Sequence, residues 1–177
     1  MKRLVTYFTM MILALAPMTL TSCDEDEMIA DTLWGTWEGN MHVSSYWNDR
    51  YYDAVYSEIA FDKDPWKWAS GDGYWVDYYS NAPWDYVANH IRWTVDRGNI
   101  YVRFLEEGSE IEIYDYYLDD GYFCGYIYAD NGNKVQFRLR KTSSPDWDDY
   151  HYGWSYWGAH TRSAANDSTS IPRRVIR

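Results

Sequence analysis

The chain has 177 residues and a formal net charge of −11, an acidic balance that excludes nucleic acid and anionic lipid headgroups as electrostatic partners. Aromatic residues make up 20% of it, with 11 Trp and 19 Tyr, which favours strands and flat stacking surfaces over helices. Only Cys23 and Cys124 are available for thiol chemistry, and neither has Cys-x-x-Cys or metal-type spacing.

In chain order, Lys2 and Arg3 precede a run from Leu4 to Leu20 that is apolar apart from threonines and ends in Thr21 and Ser22. That is the three-part layout of a secretory signal. A membrane span would need about 20 predominantly apolar residues, and here Asp24-Glu25-Asp26-Glu27 follows at once. The stretch Leu20-Thr21-Ser22-Cys23 resembles the lipobox of bacterial lipoproteins. The resemblance implies that residues 1–22 are a signal peptide and that Cys23 carries lipid, several acyl chains being enough for stable membrane anchoring. Cys124 is then left without a disulfide partner, and loss of Lys2 and Arg3 takes the charge from −11 to −13. Residues 23–32 read as an acidic tether. The acids act either as a solvated spacer held extended by like-charge repulsion or as a surface-export signal of the kind they resemble in some Gram-negative lineages. The expected location is the cell envelope, lipid-anchored to the outer membrane, with surface exposure on the second reading.

Strand signals follow. Trp37 to Val43, Val55 to Phe61 and Tyr74 to Tyr79 read as strands separated by Asn48-Asp49, Asp64-Pro65 and Asn81-Ala82-Pro83. From residue 89 the alternation is regular: Ile91, Trp93 and Val95 lead through Arg97-Gly98 to Ile100, Val102 and Phe104. Ile111 and Ile113, the run Tyr122 to Tyr128, and then Val135, Phe137 and Leu139 follow, separated by Asp120-Gly121 and Asn131-Gly132. Period-two patterning broken by such pairs marks hairpins, and connections this short leave no room for crossover helices. The expected fold over residues 33–142 is all-β, an eight-stranded antiparallel up-and-down barrel. Ile91, Trp93, Val95, Ile100, Val102, Phe104, Ile111, Ile113, Val135, Phe137 and Leu139, with Val55, Ile59 and Phe61, are expected to face inward. Ser144-Pro145-Asp146 reads as the start of a short helix, capped by Ser144, in an aromatic segment spanning 143–158. Residues 159–177 are polar, with Arg162, Arg173, Arg174 and Arg177, and are expected to be disordered.

Leu33-Trp34-Gly35-Thr36-Trp37-Glu38-Gly39 opens the domain, and Gly35-x-Trp37 heading an eight-stranded meander resembles the lipocalins and their bacterial lipocalin-like relatives over residues 33 to 152. The resemblance implies that Trp37 closes the barrel floor against an arginine near the end of the last strand, Arg138 or Arg140. Such a stack contributes about 0.5–2 kcal/mol.

Trp66, Trp68, Trp75, Trp84 and Trp93 are the candidate ligand or rim residues, because several tryptophans near one barrel end would line its mouth. No nucleophile, phosphate-loop or metalloprotease motif is present, and the four histidines lack ligand spacing. No catalytic residue, metal or cofactor is therefore assigned. The leading expectation is non-catalytic binding of a small hydrophobic or amphipathic ligand or a glycan. The rival is a barrel filled by its own side chains that docks onto an envelope protein partner, and a catalytic barrel is the third reading.

Overall fold

The computed structural model describes residues 21–128, 132, 134–153 and 172–177, with residues 21–24 as backbone alone. Most of the expected signal and tail, residues 1–20 and 154–171, lies outside them. A helix, α1 (Thr21–Leu33), precedes nine strands: β1 (Gly35–Asn40), β2 (Val43–Trp47), β3 (Arg50–Lys63), β4 (Ser70–Tyr79), β5 (Tyr86–Asp96), β6 (Asn99–Phe104), β7 (Glu110–Leu118), β8 (Tyr122–Tyr128) and β9 (Lys134–Thr142). A last strand, β10 (Arg173–Ile176), ends the chain.

Eight of these strands close an antiparallel up-and-down barrel. Strands β3 to β9 pair in sequence, and β1 completes the circle by pairing with β9 on one side and β3 on the other. β1 and β2 are one long strand broken at Met41-His42, where His42 has φ 54°. Beyond the break, β2 continues along the first half of β3 and accepts β10 on its other edge. The turns follow their residues: Asn48-Asp49 (φ 49° and 58°) and Arg97-Gly98 (φ 53° and 77°) are two-residue left-handed turns whose twist matches that of paired strands.

The interior is packed. Trp37, Trp75, Trp93, Phe61, Phe104, Phe123 and Phe137 are all fully buried, and edge-to-face contacts link them, Trp37 to Phe123 at 5.8 Å and Trp75 to Phe104 at 5.1 Å. Close backbone approach helps: a Cβ on Gly73 would lie 1.9 Å from the Ala60 carbonyl oxygen across the β3–β4 pair.

The inward residues fall where alternation places them, with one reversal. Val55 is 48% exposed, because the β3–β4 register shifts between Ala54 and Tyr56 and such a bulge inverts the facing of the residues on one side of it. Three further expectations need correction. The acidic tether at 23–32 is helical, because Ala30 and Leu33 bury completely against the barrel and outweigh the charge repulsion. The helix expected from Ser144 is a single 3₁₀ turn, Trp147–Asp149, capped by Asp146. The tail expected to be disordered over 159–177 ends in an ordered strand, β10, with Val175 and Ile176 buried.

Candidate functional site

The two barrel ends are built differently. At one, α1 lies across the opening. Trp37 donates from Nε1 to the Leu33 carbonyl at 2.7 Å, and the Asp26 carboxylate accepts from the Arg97 and Gly98 amides at 3.0 and 2.8 Å. Lys63, at the end of β3, pairs with Glu27 and Asp31 of the helix. Trp37 is buried here beneath the helix, and the cation beside it is not the expected arginine. Lys141 Nζ sits 5.0 Å from the Trp37 ring, whereas Arg138 lies over Tyr122 at 5.1 Å and Arg140 pairs with Glu38. Strand parity explains the correction: Lys141, exposed at the end of β9, has the parity of the buried Phe137 and Leu139, and Arg138 and Arg140 have the opposite one.

At the far end the lumen is polar. Asp77, at the end of β4, is fully buried and accepts from Ser57 Oγ at 2.6 Å and Trp75 Nε1 at 2.8 Å. Glu107, in the β6–β7 turn, accepts from the Asn89 amide at 2.8 Å. Between these two carboxylates lies Arg174 of β10, its side chain 6% exposed. Its guanidinium pairs with Asp77 through Nη1 and forks onto Glu107 through Nε and Nη2 at 3.1 and 3.2 Å, a bidentate geometry particular to arginine. The Phe104 ring centroid is 4.1 Å away and that of Trp75 5.7 Å. Burial works against the charge on Arg174, but Asp77 and Glu107 outweigh it and hold the guanidinium above its ordinary pKa. Burial likewise pushes Glu107 up, and Arg174 with the Asn89 and Ser109 hydrogen bonds brings it net below the usual carboxylate value. Burial and the nearby Asp77 charge push the Tyr79 hydroxyl up, and that hydroxyl shares a 2.7 Å hydrogen bond with Ser45.

The tryptophans expected to rim one mouth are not gathered there. Trp75 and Trp93 are core residues. Trp84 is buried at the far end, edge-on to Trp47, Tyr52 and Tyr79 at 5.3–5.9 Å. Trp66 and Trp68 stand in the β3–β4 loop at the α1 end, 90% and 73% exposed. Trp34, which follows α1, and Met28 on its outer face are exposed as well.

The outer wall carries a groove of about 520 Å³ lined by Glu38, Gly39, Tyr56, Tyr122, Arg138, Leu139 and Arg140. A Cβ on Gly39 would lie 2.3 Å from the Arg138 carbonyl oxygen, so glycine is what lets β1 press against β9 beneath it. Tyr56 and Tyr122 present half-exposed rings. Tyr56 stacks on Tyr78 at 4.4 Å, and Tyr78 donates to Glu58 at 2.7 Å. The 3₁₀ turn extends this aromatic layer over β4, where Trp147 stacks on Tyr74 at 5.0 Å. A smaller concavity of about 250 Å³ lies on the wall of β4, β5 and β6 beside the Arg92–Asp72 ion pair. Among the described residues there is no group of three metal-ligating side chains, and no helix is long and apolar enough to cross a membrane.

Sequence reasoning missed Asp77, Glu107 and Arg174. The signal for Asp77 was present: it shares strand parity with Trp75, and an acid on a core-facing register requires a buried partner. Arg174 and Ile176 flank Val175 with the same period of two. No protein-family model matches the chain and no curated protein matches it.

Proposed function

We propose that the chain is a non-catalytic binding lipoprotein of the cell envelope, anchored through Cys23, that recognises a glycan or similarly amphipathic ligand on its outer wall. The observation carrying this reading is the pairing of a filled lumen with the groove of about 520 Å³. That volume falls within the roughly 300–1,000 Å³ of ligand sites. Two tyrosine rings offer flat faces for the C–H surface of a sugar, while Glu38, Arg138 and Arg140 offer charged hydrogen-bonding groups. A lumen ligand, the first expectation from the fold, has to displace the chain's own Arg174.

The α1 end suits the membrane side. Cys23 lies in α1, and Met28, Trp34, Trp66 and Trp68 expose apolar area there, as tryptophan does at headgroup level. The packed interior also favours a second reading, in which the filled barrel docks onto an envelope protein.

The test is an NMR titration of residues 24–177 with neutral, acidic and amino-sugar oligosaccharides. Binding in the groove shifts the amides of Gly39, Tyr56, Tyr122 and their neighbours, and Tyr122→Ala removes the shifts. Absence of localised shifts across the three classes overturns the glycan reading. Co-purification of a chain-specific protein partner would then favour docking.

A further inference from the structure

Arg174 meets the chemical description of a bound ligand. Its guanidinium lies inside the barrel between two carboxylates and against an aromatic face. Asn89, fully buried beside it, donates to Glu107 and leaves its own carbonyl oxygen without a hydrogen-bond donor, so the site has acceptor capacity that its present occupant does not use.

The strand carrying this arginine is not one of the eight that form the barrel wall. The eight-stranded circle is complete through the β1–β3 and β1–β9 pairings, and β10 joins only the outer edge of β2, with Arg174 opposite Ser45 and Ile176 opposite Val43. Its side chains are read individually. Arg174 enters the lumen and Ile176 joins the core. Arg177 forks toward Asp53 at 2.6 and 3.3 Å and stacks on Tyr51 at 4.4 Å. Main-chain pairing with an exposed edge and separate pockets for alternate side chains is how sheets recognise extended peptides.

We propose that the far end of the barrel is a receptor for an arginine-bearing extended strand, with Asp77, Glu107, Phe104 and Trp75 forming its guanidinium site and β10 as its exchangeable resident. The ligand class is an unfolded peptide with arginine, an apolar residue two positions on and a second arginine after it. The chain's own C-terminus supplies this sequence. The planar fork sets the specificity, because a lysine ammonium does not reproduce the bidentate contact with Glu107. This site is separate from the outer groove, and neither depends on the other.

The experiment uses the full chain with a specific protease site in place of residues 163–168. After cleavage, a fluorescent peptide of residues 170–177, Ser-Ile-Pro-Arg-Arg-Val-Ile-Arg, is added and the protein is separated by gel filtration. The expected result is uptake of one peptide per barrel with release of the resident fragment. An Arg174→Ala peptide competes about tenfold or more weakly, the factor that 1.4 kcal/mol represents, and an Arg174→Lys peptide falls between the two. A cleaved protein that stays folded and takes up no peptide overturns the proposal, as does an Arg174→Ala peptide that competes equally well. Should cleavage unfold the protein, the uncut Arg174→Ala chain provides the second measurement: saturating wild-type peptide raises its Tm, and no rise overturns the proposal.

Discussion

The two ends of the barrel are closed by opposite physics. At the α1 end the closing element is continuous with β1, and it seals with Ala30 and Leu33, both fully buried. It also buries the Asp26 carboxylate, which caps the β5–β6 turn. At the far end the closing element is the last strand of the chain, and beside the apolar Val175 and Ile176 it buries a charge. The contribution of Ala30 and Leu33 does not depend on ionisation. Ionic closure is conditional, because desolvating an arginine and two carboxylates is costly and is offset only while every partner is present and ionised.

The largest separation between the ends is expected from Arg174→Ala. It leaves Asp77 and Glu107 facing each other in the lumen without a cation and costs about 3–5 kcal/mol, measured by urea unfolding. Leu33→Ala opens the other end at about 2–5 kcal/mol. The two differ in pH behaviour: the Leu33→Ala loss is the same at pH 4 and pH 7, and the Arg174→Ala loss shrinks in acid.

The sign follows from Glu107. Its folded pKa is held below the unfolded value, so its contribution is complete above the ordinary glutamate pKa of about 4.3 and is lost as pH falls below that. The groups facing it are Arg174 from β10, Asn89 from β5, Ser109 from its own turn and Asp77 from β4, which shares the arginine. Thermal unfolding from pH 6 down to pH 3 is expected to lower the wild-type Tm more steeply than that of the Arg174→Ala chain.

Asp26→Ala is a smaller test of the α1 end, at about 1–3 kcal/mol for two amides left without their acceptor. Smallest in stability is the double change Trp66→Ser and Trp68→Ser, within about 0.5 kcal/mol because both side chains are solvated. Its effect is expected instead in weaker binding of the non-lipidated protein to phosphatidylcholine vesicles. Equal vesicle binding by wild type and the double variant would remove the membrane-facing role of that end.

Much of the wall was legible in the sequence, because each strand carries its own period-two pattern and turns such as Arg97-Gly98 announce themselves. What the sequence obscured were features set by contacts distant along the chain. The bulge beside Val55 depends on β4, and the helicity of 24–33 on a barrel surface not yet formed. The tryptophans cluster in sequence yet divide between core, far end and α1 end, since a hairpin sends neighbouring residues to opposite ends of a barrel. β10 has four residues and one partner strand, too little local pattern to stand out from a polar tail. Lys141 was within reach, because its parity with Phe137 and Leu139 distinguishes it from Arg138 and Arg140.

Amide hydrogen exchange on the full chain, wild type against Arg174→Ala at pH 7, bears most directly on the conditional closure of the far end. Protection is expected to fall at β10, β2 and the adjoining start of β3, while α1, β1 and the β5–β6 turn keep theirs. Uniform loss of protection around the barrel, or unchanged protection of β10, would contradict a far end held shut by the arginine.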